Sequence, residues 1–168
     1  FGPDAIRYFL LREITLGMDG NFSREALVNR INADLANDFG NLLHRTLSMI
    51  GRFNGGMIEA TGDVDAIEQE LTKLAENTVL QYEKSMDEMD INTAIKSIWT
   101  LISRTNKYID ETGPWALAKD EAKRGRLNTV LYNLAETLRI VSILIYPLMP
   151  VTAPNVWKQL GIEQDFAT

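Results

Sequence analysis

Apolar residues recur along the chain at three- and four-residue spacings, with no convincing alternating strand and no internal repeat. Val28, Ile31, Leu35, Phe39, Leu42, Met49 and Ile50 form one such series. The spacing predicts helices from one end to the other, and local signals bound them. Pro3 and Asp4 open a first helix through Tyr8 and Arg12 that ends before Gly17. Met18-Asp19-Gly20-Asn21-Phe22 reads as a turn on its Asp-Gly pair. Ser23 caps a long second helix that runs to about Phe53 and breaks at Asn54-Gly55-Gly56. Asp65-Ala66-Ile67-Glu68 matches a capping box and starts a third helix ending near Met89. Asp90 caps a fourth, Ile91 to about Thr112, stopped by Gly113-Pro114. A fifth runs from about Arg124 to Tyr146, stopped by Pro147 and Pro150, and a short last helix around Asn155 to Leu160 ends at Gly161. Long helices with short links predict an all-α antiparallel helix bundle.

The second helix has an unusual polar face. Between Ala26 and Ile58 there is neither Lys nor Glu, the usual choices for a solvated helical surface. Arg30, Asp34, Asn37, Asn41, His44, Arg45, Ser48 and Arg52 instead fall within a sector of about 100° of an ideal helix. Asn is a poor helix former, so an Asn-rich stripe costs helix stability and points to a use beyond solubility. A face packed on other helices, its amides and guanidinia meeting buried groups, accounts for the same pattern.

Two short stretches carry the candidate chemistry. Asn41 and Arg45 are one turn apart and project from one helical face. In Asp110-Glu111-Thr112-Gly113-Pro114-Trp115, a Gly-Pro stop leaves an indole at a corner. Amide, guanidinium and aromatic plane are the groups that read an unstacked RNA base by its edge and its face. Each has an ordinary alternative: Asn41 as a helix-packing amide, Arg45 as a surface charge, Trp115 as a core residue. Trp99 and Trp157 read as packing anchors, and His44 as a solvated neighbour of the site.

Composition narrows the classes. At 168 residues, 45% hydrophobic and 24% charged, the chain fits one soluble globular domain. It has no cysteine, which excludes disulfides, thiol catalysis and Cys-based zinc sites, and His44 is its only histidine. No apolar run reaches the roughly 18 residues needed to span a bilayer. No secretory signal is visible, so a cytoplasmic location is the default expectation. A net charge of −6 argues against bulk affinity for phosphate, so any RNA contact must be local and DNA is not an expected partner. There is no Gly-rich phosphate loop and no Ser-His-Asp set. Asp87, Glu88 and Asp90 sit at a helix boundary, where capping explains them. No catalytic residue and no metal site is expected. The chain begins at Phe1 and stops soon after Asp165-Phe166, and it reads as a piece of a longer protein.

Several strings together resemble a known family. They are Asp4-Ala5-Ile6-Arg7-Tyr8-Phe9-Leu10-Leu11-Arg12-Glu13, Asp19-Gly20-Asn21-Phe22-Ser23 and Asn32 through Leu42. The Gly-Pro-Trp segment and Tyr146-Pro147-Leu148-Met149-Pro150 complete the set. Across essentially its whole length the chain resembles the C-terminal helical domain of methionyl-tRNA synthetases, a class I aminoacyl-tRNA synthetase family. The combination of Asn41, Arg45 and Trp115 is specific to that family. The resemblance implies an anticodon-binding domain, residues 23–168, preceded by a segment, residues 1–22, that joins it to a catalytic domain of the same parent chain.

It further implies a partner, methionine tRNA with its CAU anticodon, and no cofactor in this piece. The parent would use ATP with magnesium to attach methionine. By the same resemblance Asn41 and Arg45 match the base-edge readers, and Trp115 matches the aromatic that stacks on the first anticodon base, a cytosine. Pro114 precedes it as in the family, and Asp110 matches an acidic position that repels wrong anticodons. Gly113 stands where other members carry different small residues. The equivalent domain of a sibling synthetase for leucine, valine or cysteine is the nearest alternative. A helical protein-interaction module without RNA binding is another.

Overall fold

The computed structural model describes residues 1–20, 22–59 and 64–163. Asn21 of the expected turn, and Asp165 and Phe166, lie outside the described residues. The helices follow the sequence signals closely. α1 spans Pro3–Glu13 and α2 spans Arg24–Arg30; a π-helical segment, Ile31–Gly40, then runs without a break into α3, Asn41–Asn54. α4 is Ala66–Asp87 and α5 is Ile91–Thr112. A single turn, α6, covers Pro114–Leu117, and a 3-10 turn covers Glu121–Lys123. α7, Arg124–Ile145, and α8, Thr152–Gln159, complete the order, and no strand occurs among the described residues.

The caps form as the sequence predicts. Ser23 accepts from the Ala26 N–H at 3.0 Å, and Asp90 accepts from the Thr93 N–H at 3.1 Å. In the Asp65 capping box, Glu68 accepts from the Asp65 N–H at 2.8 Å. α5 is the axis of the molecule. It packs against α1, the π segment, α3, α4 and α7, and its Ile95, Ile98, Leu101, Ile102 and Ile109 are fully buried. Three residues link α4 to α5, so the two lie as antiparallel neighbours.

α1 is built into the same core. Tyr8 is fully buried, and its ring lies 4.6 Å from that of Trp99. Asp4 Oδ2 accepts from the Val151 and Thr152 N–H groups at 3.0 and 2.6 Å. Arg7 donates to the Pro147 and Leu148 carbonyls at 2.9 and 3.1 Å. One acid and one base of α1 thus close the turn between α7 and α8, satisfying backbone groups that the helix ends leave open.

The π segment corrects one expectation. On an ideal helix Asp34 shares the polar stripe with Asn41; in the structure it is buried, and its Oδ2 accepts from the Tyr8 hydroxyl at 2.5 Å. The cause is the helical register. Hydrogen bonds from i to i+5 turn the chain less per residue than an α-helix does. Over Ile31–Gly40 this rotates Asp34 inward and leaves Asn37 and Asn41 outside. Val28, Ile31 and Leu35 are only partly buried for the same reason, whereas Phe39, Leu42, Met49 and Ile50 enter the core.

Candidate nucleic-acid interface

The π segment ends where the candidate site begins. The Asn41 N–H reaches back to the Ala36 carbonyl, five residues earlier. Gly40 makes that path possible: a Cβ there would lie 2.9 Å from the Leu35 carbonyl oxygen, closer than a side chain tolerates. Two α5 side chains on one face, seven residues apart, brace the segment from outside. Trp99 Nε1 donates to the Asp34 carbonyl at 3.3 Å, and Asn106 Nδ2 donates to the Asp38 carbonyl at 3.1 Å. Asp38 itself has a raised pKa, first through burial and then through the nearby Asp34 charge.

Beyond this brace, Asn41 stands exposed at the start of α3, with Arg45 one turn on, half-buried. Arg45 Nη2 donates to Asp110 Oδ1 at 2.5 Å, joining α3 to the last turn of α5. The neighbouring Glu111 is engaged elsewhere, by Arg104 at 3.0 Å and Lys107 at 3.4 Å. Three of the five sequence candidates therefore meet or adjoin here: Arg45 and Asp110 in contact, and Asn41 beside Arg45 on its helix.

The other two sit at the corner that follows. Gly113 ends α5 in the left-handed region with φ 54°, its N–H on the Ile109 carbonyl. Without a Cβ it enters that region at little cost. Pro114, buried, starts the single turn of α6. Trp115 then projects with 47% of its surface in water, whereas Trp99 keeps only 7%. An indole left so open contributes little to the core and presents a flat face to a ligand. His44 is exposed beside the stripe.

A buried network steadies the same end of α5. Glu68 is 1% exposed, yet it accepts from the Tyr108 hydroxyl at 2.6 Å and from Arg126 Nη2 at 2.8 Å. Burial alone would raise its pKa, but the bonds from Arg126, Tyr108 and the Asp65 N–H outweigh it and hold the carboxyl below its ordinary value. Burial, and then the bond to Glu68, push the Tyr108 phenol well above its ordinary value. The sequence signals Glu68 only as a capping residue. Its pairing with Arg126, 58 residues away, belongs to the tertiary fold.

Chemically the site offers one amide with donor and acceptor, one guanidinium with unused donors, one open carboxylate and one aromatic plane. Among the described residues no group of three or more His, Asp or Glu side chains is placed to hold a metal ion. No described helix is long and apolar enough to cross a membrane.

Residues 68–167 match the family described as the anticodon-binding domain of tRNA ligase, and residues 1–47 match the class I tRNA synthetases of the M type. The methionine–tRNA ligase of Caldanaerobacter subterraneus is 55% identical over 168 residues, covering 100% of this chain and 26% of that protein. The methionine–tRNA ligase of Bacillus subtilis is 50% identical over 166 residues, 98% of this chain and 25% of that protein. The chain thus spans about a quarter of the length of these curated relatives. Apo methionyl-tRNA synthetase of Mycobacterium tuberculosis superposes with a TM-score of 0.88 at 38% identity, over 92% of this chain and 32% of that one.

Proposed function

Since the chain belongs to the anticodon-binding domain family of tRNA ligases, in its methionyl-tRNA synthetase branch, we propose that it selects methionine tRNA through the CAU anticodon. In this reading Trp115 stacks on the first anticodon base, while Asn41 and Arg45 take base edges. A wrong base would leave buried polar groups unpaired, which is costly. Pro114 fixes the corner under the indole. Asp110 acts twice: it orients Arg45, and its open oxygen repels misplaced anionic groups. The observation that carries the reading is the half-exposed Trp115, five residues after the carboxylate that holds Arg45.

The rest of the activity belongs to the whole ligase. A catalytic domain of the same parent chain, joined through residues 1–22, attaches methionine using ATP with magnesium, in the cytoplasm. This domain's contribution is substrate choice. The test is binding of anticodon stem-loops to the full-length protein containing this chain, at stated salt. Preference for a CAU loop over loops altered at any anticodon position is expected. Preference for another anticodon would assign a sibling synthetase, and no RNA binding would assign an interaction module; either overturns the proposal.

A further inference from the structure

The stretch Ile31–Gly40 carries the marks of two helical registers. At about 100° per residue, an α register would put Ile31 and Leu35 within about 20° of Leu42, on the side that enters the core. Asp34 would then lie within about 20° of Asn41 and Arg45, on the outer face. The observed π register does the reverse. Ile31 and Leu35 are only half-buried, while Asp34 is turned in and 7% exposed. The apolar pattern favours one register, and polar bonds hold the other.

Those bonds come from outside the segment. The Tyr8 hydroxyl donates to Asp34 Oδ2 at 2.5 Å, and Arg30 and Arg12 lie 3.4 and 3.8 Å from the same oxygen. On α5, Trp99 and Asn106 donate to the Asp34 and Asp38 carbonyls. The segment itself is rich in poor helix formers: Asn32, Asp34, Asn37, Asp38 and Gly40. Stretches bonded from i to i+5 within α-helices are rare and occur mostly at functional sites. α3 beyond it is pinned in the core by Leu42, Met49 and Ile50. A change of register must therefore be taken up at Asp34, which faces α1, and at Asn41, whose N–H bonds to the Ala36 carbonyl.

We propose that Ile31–Gly40 is a two-register switch: the π register, locked by the Tyr8–Asp34 bond, sets Asn41 for RNA, and the α register releases it. The inference rests on the anticodon reading above for its ligand and adds a conformational step to it. RNA held by Asn41 and Arg45 favours the π register, and whatever favours the π register strengthens RNA binding by the same free energy. Tyr8 is fully buried, so it acts on the RNA only through Asp34, as a positioning residue.

Carboxyl footprinting of the full-length protein reads the register, because a carbodiimide and an amine modify only carboxyl groups that solvent reaches. Asp34 should be nearly unmodified in the unaltered protein, with the exposed Glu83 of α4 as reference. Two variants bias against the π register from opposite ends. Tyr8→Phe keeps the ring and removes the hydroxyl, and Gly40→Ala sets a Cβ 2.9 Å from the Leu35 carbonyl oxygen. Tyr8→Phe should raise Asp34 modification about tenfold, the factor expected when a bond to a charged group is lost. Gly40→Ala should raise it as well. Hydrogen exchange of the Ile31–Gly40 amides should stay slow in both, since either register keeps its backbone bonds and local unfolding does not. A CAU stem-loop should lower the modification again, and a loop with an altered anticodon at equal concentration should not. The Kd for the CAU loop should rise by the factor by which the π fraction falls. Asp34 that stays protected in both variants, or that is modified only where the amides also exchange fast, overturns the switch and leaves the anticodon reading standing. An unaltered protein with no preference for the CAU loop overturns the anticodon reading, and with it the switch as a device for RNA, even where Asp34 modification rises in the variants.

Discussion

Arg45 on α3 and Asp110 in the last turn of α5 are joined by a 2.5 Å ion pair, which ties the Asn-rich stripe to the Gly-Pro-Trp corner. The Asp110 side chain is 64% exposed, so solvent screens the pair and it is worth at most about 1 kcal/mol to folding. In the proposed reading the pair fixes a guanidinium that keeps further donors for a base. Asp110→Asn should therefore leave the melting temperature nearly unchanged and reduce discrimination among anticodons. Thermal melts and competition binding of stem-loops measure both, and unaltered discrimination would remove Asp110 from the site.

Trp115→Ala should damage tRNA charging by the full-length protein while sparing adenylate formation. With 47% of the residue exposed, little packing is lost. The stacking lost is worth about 1–3 kcal/mol per base, or roughly one to two decades in affinity. Trp115→Phe should be milder, because a smaller ring still presents a face. A variant that unfolds without a selective RNA defect would make Trp115 a core residue after all.

Gly40→Ala probes the backbone beneath Asn41 and Arg45. A Cβ would stand 2.9 Å from the Leu35 carbonyl oxygen, and backbone cannot swing aside as a flexible side chain can. The π segment must shift, at a cost of about 1–3 kcal/mol. The same shift re-aims Asn41 and Arg45. RNA affinity should therefore fall even at temperatures where circular dichroism reports the variant fully folded. Affinity that merely tracks the folded fraction would limit Gly40 to a structural role.

The helix boundaries were legible because each has a local chemical cause: the Ser23 and Asp90 side chains on backbone N–H groups, the Asp65 capping box, and Gly113 in the left-handed region. The placement of Asn41 one turn before Arg45, and of Trp115 at its corner, was legible for the same reason. Asp34 was not, because periodicity assumes one pitch and the π segment has another. Nor were the Trp99 and Asn106 braces or the pairing of Glu68 with Arg126. Those pairings join residues more than thirty positions apart, which spacing along one helix cannot reveal.

Glu68 gives a dependence on pH. Burial opposes its charge, but the bonds from Arg126, Tyr108 and the Asp65 N–H win, so its folded pKa lies below the ordinary value of 4.5. A carboxyl that holds its proton less tightly when folded adds stability above the ordinary pKa. That stability is lost as pH falls through the depressed folded value. Glu68→Gln should cost about 2 kcal/mol near neutral pH, the scale of a hydrogen bond to a charged group. The gap in melting temperature between variant and unaltered protein should narrow as pH drops below the ordinary carboxyl range. A gap independent of pH would mean that Glu68 stabilises as a shape and not as a charge.

Asn41 and Arg45 are best tested together. They sit one turn apart at the start of α3, Asn41 exposed and Arg45 half-buried, so one base or two adjacent bases can meet both. The amide both donates and accepts, whereas the guanidinium only donates. Asn41→Asp replaces a donor by a carboxylate, so it should change which anticodon base is tolerated as well as weaken binding. Arg45→Gln removes the charge and the planar fork, and should weaken binding with little effect on folding, since its partner Asp110 remains solvated. Groups that share a ligand couple, and independent surface positions add. A double-mutant cycle on tRNA charging, with melting temperatures for each variant, should show less combined loss than the sum of the single losses. Additive losses with unchanged discrimination against other anticodons would return both residues to the ordinary surface.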